Sequence, residues 1–451
     1  MITSRTLAYQ ILLHFEQKAS HPDRLIRTTL GRHSGLDERD RALLTELVYG
    51  IVRWAKRLDW HIDQLSRTKP ERIAPPVRVL LRLALYQILF LDRIPDHAAV
   101  NDAVELAKTS QPPHVIRFIN AILREAARKK GGWNWPDPVR DPVGHMAVMT
   151  SHPVWLVERL IREMGPEEAE LFCESNNRPA PAVFRVNRLK ASIRETVESL
   201  RAEGIETLPS PWLEQALRAK ALRRDMTATA AFRDGWIQAQ DEASQMVSLL
   251  LAPLPGERIL DLCCGMGVKS THMGIIMENR GEVLSVDRAG WKLEEARKNA
   301  QRQGVTIMRT LAEDLLALRP ESTGLFDRVL LDAPCTGFGT IRRKPDIKWR
   351  RHVKDPYRLS LLQRELLGHA AGFLKPGGIL VYATCTIFSE ENESVAEYLS
   401  ETCPGLLPEP ASENLPPACR EMASGPYYRS RPHKHGVDGF FAARWRRIFS
   451  S

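Results

Sequence analysis

No run of apolar residues approaches the ~20 needed to cross a bilayer. The N-terminal MITSRTLAYQILLHFEQK has neither the apolar centre nor the small-residue cleavage site of a secretion signal. Both absences point to a cytoplasmic protein. Cysteine is scarce, seven in 451 residues, and no CxxC pair occurs, which leaves no sign of a disulfide framework or a cysteine-built zinc site. His433 and His435 stand in an HKH run without a carboxylate or cysteine at ligand spacing, so no metal is expected. Internal repeats of solenoid period and low-complexity tracts are also missing.

Acidic residues are outnumbered, 55 Asp and Glu against 64 Lys and Arg, a net charge of +9. Over residues 1–150 the count is 23 Lys and Arg against 16 Asp and Glu, so most of the excess sits in the first third. A basic domain suits a phosphate backbone through counterion release, although a merely solubilising surface gives the same count. The rest is ordinary, 43% hydrophobic and 26% charged, which argues against disorder. The length exceeds what one core holds and calls for two or three domains.

Residues 1–135 read as an all-α bundle. Val77, Leu80, Leu81, Ala84, Ile88 and Leu91 share one helix face, with Pro75 and Pro76 at its start and Pro95 beyond its end. A second helix is expected from an N-cap at Asp96, and a third through Ile116, Ile119 and Leu123. Residues 136–154, rich in proline and without a sustained period, read as a linker. Residues 155–240 mix a helix, the strand-like AVFRVN and a helix from Ile193 to Glu203, a small α/β module. From 241 to 451, RILDL, EVLSVD, VTIMRT, DRVLLD, ILVYAT and FFAARW alternate with helical stretches. That is the pattern of a mostly parallel, doubly wound sheet, whose ligands bind beyond the carboxyl ends of the strands.

The first of these strands runs into DLCCGMGVKS, where Gly265 and Gly267 allow a tight turn before a helix. Asp287 ends the next strand twenty residues after Gly267, where a carboxylate can accept from ribose hydroxyls. A dinucleotide fingerprint would need glycine at Ser270, so the spacing favours an adenosyl cofactor over NAD. Asp314, in LAEDLL, either meets an adenine amino group or caps a helix. Two later strands lead into LLDAPCTGFGT and LVYATCT, so Cys335 and Cys385 both lie just past strand ends, with Asp332 beside the first. A single cysteine there is usually a small buried filler; two facing one crevice suggest nucleophilic chemistry.

At these residues the chain resembles the RNA cytosine-C5 methyltransferases. DAPCTGFGTIRRKPDIKW, YATCTIFSEENE and HGVDGFFAARW are close to that family's motifs, QDEASQ is similar to the segment before its cofactor loop, and FRVN to a pre-catalytic signature. IPDHAAVNDAVELAK with RFINAILR resembles the NusB-like RNA-binding domain of the Sun/Fmu type, which acts on small-subunit ribosomal RNA. The resemblance implies a monomeric, multidomain protein: an all-α NusB-like N-terminal bundle, a small α/β module and a C-terminal α/β Rossmann-like class I methyltransferase domain. It implies Cys385 as the nucleophile, Cys335 in the release step and Asp332 at the cytosine N3. By the same resemblance Cys263, Cys264, Gly265, Met266, Gly267, Val268, Lys269, Asp287, Asp314 and Asp332 line the S-adenosylmethionine site. The family loop usually reads CAAPGGKT where this chain has CCGMGVKS, an altered fit. A transfer RNA substrate, or an inactive RNA-binding adaptor, would share many of these features.

The run IRRKPDIKWRR after Cys335 interleaves Arg342, Arg343, Lys344 and Lys348 with Trp349, a combination suited to phosphate contacts and base stacking in RNA.

Overall fold

The computed structural model describes residues 3–18, 20–129, 131–221 and 225–448. The chain forms two compact units, one of 1–178 with 344–351, the other of 179–343 with 352–451.

The first unit is helical: α1 (Ser4–Lys18), α2 (Pro22–Arg32), α3 (Glu38–Leu65), α4 (Pro75–Phe90), α5 (Asp96–Lys108), α6 (Pro113–Lys129), α7 (Pro142–Met149), α8 (Val154–Met164) and α9 (Pro166–Asn177). Helix α4 starts on its two prolines, as the sequence requires. It is apolar on more than the expected face: Val79, Leu83 and Leu85 are buried with Val77, Leu80, Leu81, Ala84 and Ile88, because α1, α3, α5 and α6 all pack against it. Pro95, not Asp96, is the N-cap of α5, and Asp96 becomes the first-turn acid that favours the helix dipole. The stretch expected as a linker contains α7, capped by the Asp141 carboxylate accepting from the Gly144 N–H (2.8 Å). Pro142 there opens a helix instead of ending one. Helix α3 is interrupted at Trp54 (φ −104°, ψ 16°).

The second unit holds two sheets. The smaller, β1 (Val183–Val186), β2 (Thr207–Pro209), β3 (Ala216–Ala219) and β4 (Ile237–Ala239), is antiparallel in the order β2-β3-β1-β4. Its helix Ile193–Ala202 begins on a capping box between Ser192 and Glu195. The larger contains β5 (Arg258–Leu262), β6 (Glu282–Asp287), β7 (Met308–Ala312), β8 (Phe326–Asp332), β9 (Leu374–Thr384), β10 (Leu406–Glu409), β11 (Ala423–Ser424), β12 (Tyr427–Arg429) and β13 (Phe441–Arg447). Its order is β11-β12-β13-β9-β8-β5-β6-β7, with β10 on β13. Strands β5 to β9 pair in parallel and β13 returns antiparallel to β9.

Alternation sorts the strand residues into two cores. Ile259, Val283, Leu330, Ile379 and Val381 pack on one face, and Leu260, Val286, Val329, Leu331, Leu380 and Tyr382 on the other. The chain proceeds from β5 outward through β6 and β7, then returns to add β8 and β9 on the opposite side. The reversal lies between β5 and β8, and the loops after β5, β8 and β9 meet at that crevice. Among the described residues no helix is long and apolar enough to cross a membrane.

Candidate active site

The loop after β5 is held open by its own backbone. Cys263, Gly265 and Gly267 all have positive φ (60°, 57° and 69°). A Cβ on Gly267 would stand 2.8 Å from the Ala296 Cβ, so only glycine allows the helix Val268–Ile276 to start there. Gly267 N–H closes the turn on the Cys264 carbonyl (3.0 Å), and Gly265 N–H donates to Asp287 Oδ2 at the end of β6 (3.1 Å). Asp287 is also met by Lys292 Nζ (3.2 Å). Where the family pattern has proline and a second glycine, Met266 is exposed and Val268 already lies in the helix, so both departures leave the turn intact. No atom lies within 4 Å of where a Gly265 Cβ would be. This glycine cradle, facing open space and ending against a carboxylate, fits an adenosyl cofactor.

Beneath the loop, Asp261 is buried and accepts from the Ser270 hydroxyl, while its Oδ1 has no partner among the described residues. Burial pushes its carboxyl up to about 7. Burial likewise pushes the Cys263 thiol up to about 12 and raises the Cys264 thiol further, so neither supplies a thiolate. Asp314 is exposed after β7 and its Oδ1 accepts from the Leu316 N–H (2.9 Å) across a turn, so it caps no helix.

Cys335 and Cys385 come together, Sγ to Sγ, at 3.4 Å. Their strands β8 and β9 are paired neighbours, and Ala333 N–H continues that ladder to the Ala383 carbonyl (2.9 Å). Gly339 N–H then donates to the Cys385 carbonyl (2.9 Å). The same loop crosses the HGVDGF segment backbone to backbone: a Cβ on Gly339 would fall 1.9 Å from the Gly439 carbonyl oxygen. On the cofactor side, Lys269 Nζ donates to Asp332 Oδ2 at 2.7 Å. Burial opposes the charge on Lys269, but Asp332, Asp261 and Cys385 together outweigh it and raise its pKa. Cys335 is also raised, through its hydrogen bond with Cys385, then burial and the charges of Cys385 and Glu391. The two sulfurs therefore have unequal neighbours, a cation near Cys385 and a carboxylate near Cys335.

Sequence reasoning missed the group that joins the two cysteine turns. The buried Glu391 accepts from Thr336 N–H (2.8 Å), Thr336 Oγ1 (2.5 Å), Thr386 Oγ1 (3.0 Å) and Gln363 Nε2 (3.1 Å). Its own motif, SEENE, presents several adjacent polar residues, and nothing in one sequence marks which of them turns inward.

The basic run after Cys335 corrects an expectation. Arg342 and Arg343 do not reach outward: their Nε atoms donate to Asp438 (2.8 and 2.7 Å), and Arg343 Nη2 to Asp241 (2.6 Å). They tie the QDEASQ and HGVDGF motifs to the cysteine loop, each spending its Nε and one Nη on buried carboxylates instead of phosphate. Lys348 is buried in the helical unit, with Nζ donating to the carbonyls of Arg53 (2.7 Å) and Ser151 (2.8 Å). Trp349 Nε1 donates to the Val52 carbonyl (2.6 Å), so its ring packs there and is no stacking platform. Of the five residues expected to touch RNA, Lys344 alone is exposed. Among the described residues no group of three or more His, Cys, Asp or Glu could hold a metal ion.

Three family models match in succession: the NusB family over residues 2–128, the ferredoxin-like domain of RsmF/B-like methyltransferases over 152–223, and the 16S rRNA methyltransferase RsmB/F family over 248–446. The chain is 36% identical over 447 residues to a probable ribosomal RNA small subunit methyltransferase B of Bacillus subtilis, covering 98% of both chains. It is 34% identical to the ribosomal RNA small subunit methyltransferase B of Klebsiella pneumoniae, over 92% of this chain and 95% of that one. The crystal structure of PH0851 superposes with a TM-score of 0.82 at 29% identity, over 99% of each chain. With the glycine cradle, the paired cysteines and the helical N-terminal unit in one chain, the protein belongs to the RsmB/F family of 16S ribosomal RNA methyltransferases.

Proposed function

We propose that this protein acts in the cytoplasm, methylating carbon 5 of a cytosine in 16S ribosomal RNA, with Cys385 as nucleophile. The observation that carries this reading is the cysteine pair, 3.4 Å apart at the carboxyl ends of adjacent strands and flanked by the Lys269–Asp332 ion pair. S-adenosylmethionine, when bound, supplies an electrophilic methyl group. The loop from Cys263 to Lys269, with Asp287, Asp314 and Asp332, would hold it.

Cytosine C5 is too weak a nucleophile to react directly, so a thiolate must first add to C6 and push electron density onto C5. Cys385, beside the Lys269 ammonium, is the sulfur better placed to carry that negative charge. Asp332 offers a carboxyl group to the edge of the base bearing N3. Once Cys385 is bonded to C6 it no longer holds the proton of Cys335 in place by charge and hydrogen bond. Cys335 can then lose that proton to solvent and take the one from C5 as Cys385 leaves. One proton is released in all, as replacing hydrogen by methyl requires. Lys344 is the candidate of the basic run still open to a phosphate.

The test is transfer of label from S-adenosylmethionine to unmodified 16S RNA, with bisulfite mapping of the product. Cys385→Ala is expected to abolish transfer, and Cys335→Ala to accumulate a covalent protein–RNA adduct. Label appearing only in transfer RNA would replace the substrate. Failure to bind S-adenosylmethionine with RNA present would favour an adaptor.

A further inference from the structure

Both cysteine turns end on the same carboxylate. Thr336 follows Cys335 and Thr386 follows Cys385, and their hydroxyls lie 2.8 Å apart over Glu391 Oε2. Oε1 takes the Thr336 N–H and Gln363 Nε2, and the same Gln363 amide donates to the carbonyl of Pro334, just before Cys335 (2.8 Å). The backbone of Glu391 is held too, its carbonyl accepting from Tyr382 OH (2.6 Å). Asn392 brackets the second turn, accepting from Thr384 Oγ1 (2.6 Å) and donating to the Thr386 carbonyl (3.2 Å). A buried carboxylate satisfied by four neutral donors is costly to place, and here three of them come from the residues that directly follow the two cysteines, while the fourth, on the helix Asp355–Ala371, also holds the residue before Cys335.

We infer that Glu391 is a positioning residue for methyl transfer: one carboxylate that locks the two cysteine turns together and so sets the separation and the unequal roles of the two sulfurs. The inference rests on the function proposed above. Through the turns Glu391 fixes distance, and its charge acts on the Cys335 thiol. Tyr382, hydrogen-bonded to its carbonyl, and Cys335 are ionisable groups that feel its charge. Burial raises the pKa of Glu391 while the Thr336, Gln363 and Thr386 hydrogen bonds hold the rise back.

Glu391→Gln separates charge from shape. The amide oxygen replaces Oε1, and its NH2 replaces Oε2 against two hydroxyls that can rotate to accept. Glu391→Ala removes the joint. In a Cys385→Ser background, the pH midpoint for alkylation of Cys335, read by mass spectrometry, is expected to move down on adding Glu391→Gln. In the chain with both cysteines, Glu391→Ala is expected to slow diamide-driven disulfide formation between them and to lower kcat by about 10²-fold, as for misplaced reacting groups. The KM for RNA should stay within a few-fold, and cofactor affinity, read by calorimetry, should be retained. Wild-type kcat in both variants, or an unmoved alkylation midpoint with an unchanged diamide rate, would overturn the inference. Thiol chemistry that responds to Glu391 in a protein methylating no RNA would instead overturn the function and uphold the joint.

Discussion

Asp261 carries a carboxyl group that folding makes hard to ionise. With its pKa moved from 3.8 to about 7, the folded state binds a proton that the unfolded chain has released across that range. The stabilisation is complete below about pH 4 and is lost as the pH rises toward 7, at most about 4 kcal/mol in all. Asp261→Asn should therefore flatten this part of the stability profile, which thermal unfolding at pH 5 and pH 8 would reveal; an unchanged difference between the two would refute the assignment. Residues of this kind were only partly legible. The cysteines and the glycine loop announce themselves by position after strands. The roles of Arg342 and Arg343 do not, since their partners Asp241 and Asp438 lie about a hundred residues away in either direction and a count of charges cannot tell a phosphate from a buried carboxylate.

Helix α3 shows how an element can depend on distant side chains. At its interruption, Lys56 and Arg57 donate their N–H groups to Ser151 Oγ (3.1 and 3.3 Å). The carbonyls that would pair with them in an unbroken helix, those of Val52 and Arg53, take Trp349 and Lys348. Ser151 serves both sides, its carbonyl also accepting from Lys348, and adopts φ 55° to do so. Lys348→Met would leave two buried carbonyls short of a donor and should cost about 2–4 kcal/mol in denaturant unfolding. A loss below about 0.5 kcal/mol, the scale of an ordinary surface change, would mean that the bonds carry no weight. Gly267→Ala is expected to weaken cofactor binding in calorimetry by displacing the helix that follows the loop, with unaltered affinity as the refuting result. The strands were readable because short apolar runs alternate with helical stretches. Helix α7 was not, because eight residues with an internal glycine give no period to detect.

On the scale of the whole molecule, the order of the parts was legible from motifs, whereas the division into units was not. Residues 344–351 leave the unit on either side of them in sequence and belong with the helices of residues 1–178. Nothing in RKPDIKWRR distinguishes a charged surface loop from a plug. A synthetic peptide of residues 344–351 should bind a fragment of residues 1–178, with the fluorescence of Trp349 shifting on burial, and a peptide carrying Lys348→Met should bind much more weakly. Equal binding by both peptides would contradict the seat assigned to the ammonium.

A ribosome making this chain finishes residue 178 long before residue 351. At ordinary elongation speeds the delay is roughly ten to thirty-five seconds. For that interval the carbonyls of Val52 and Arg53 are without their final donors, so the oldest part of the nascent protein is completed by one of its younger parts.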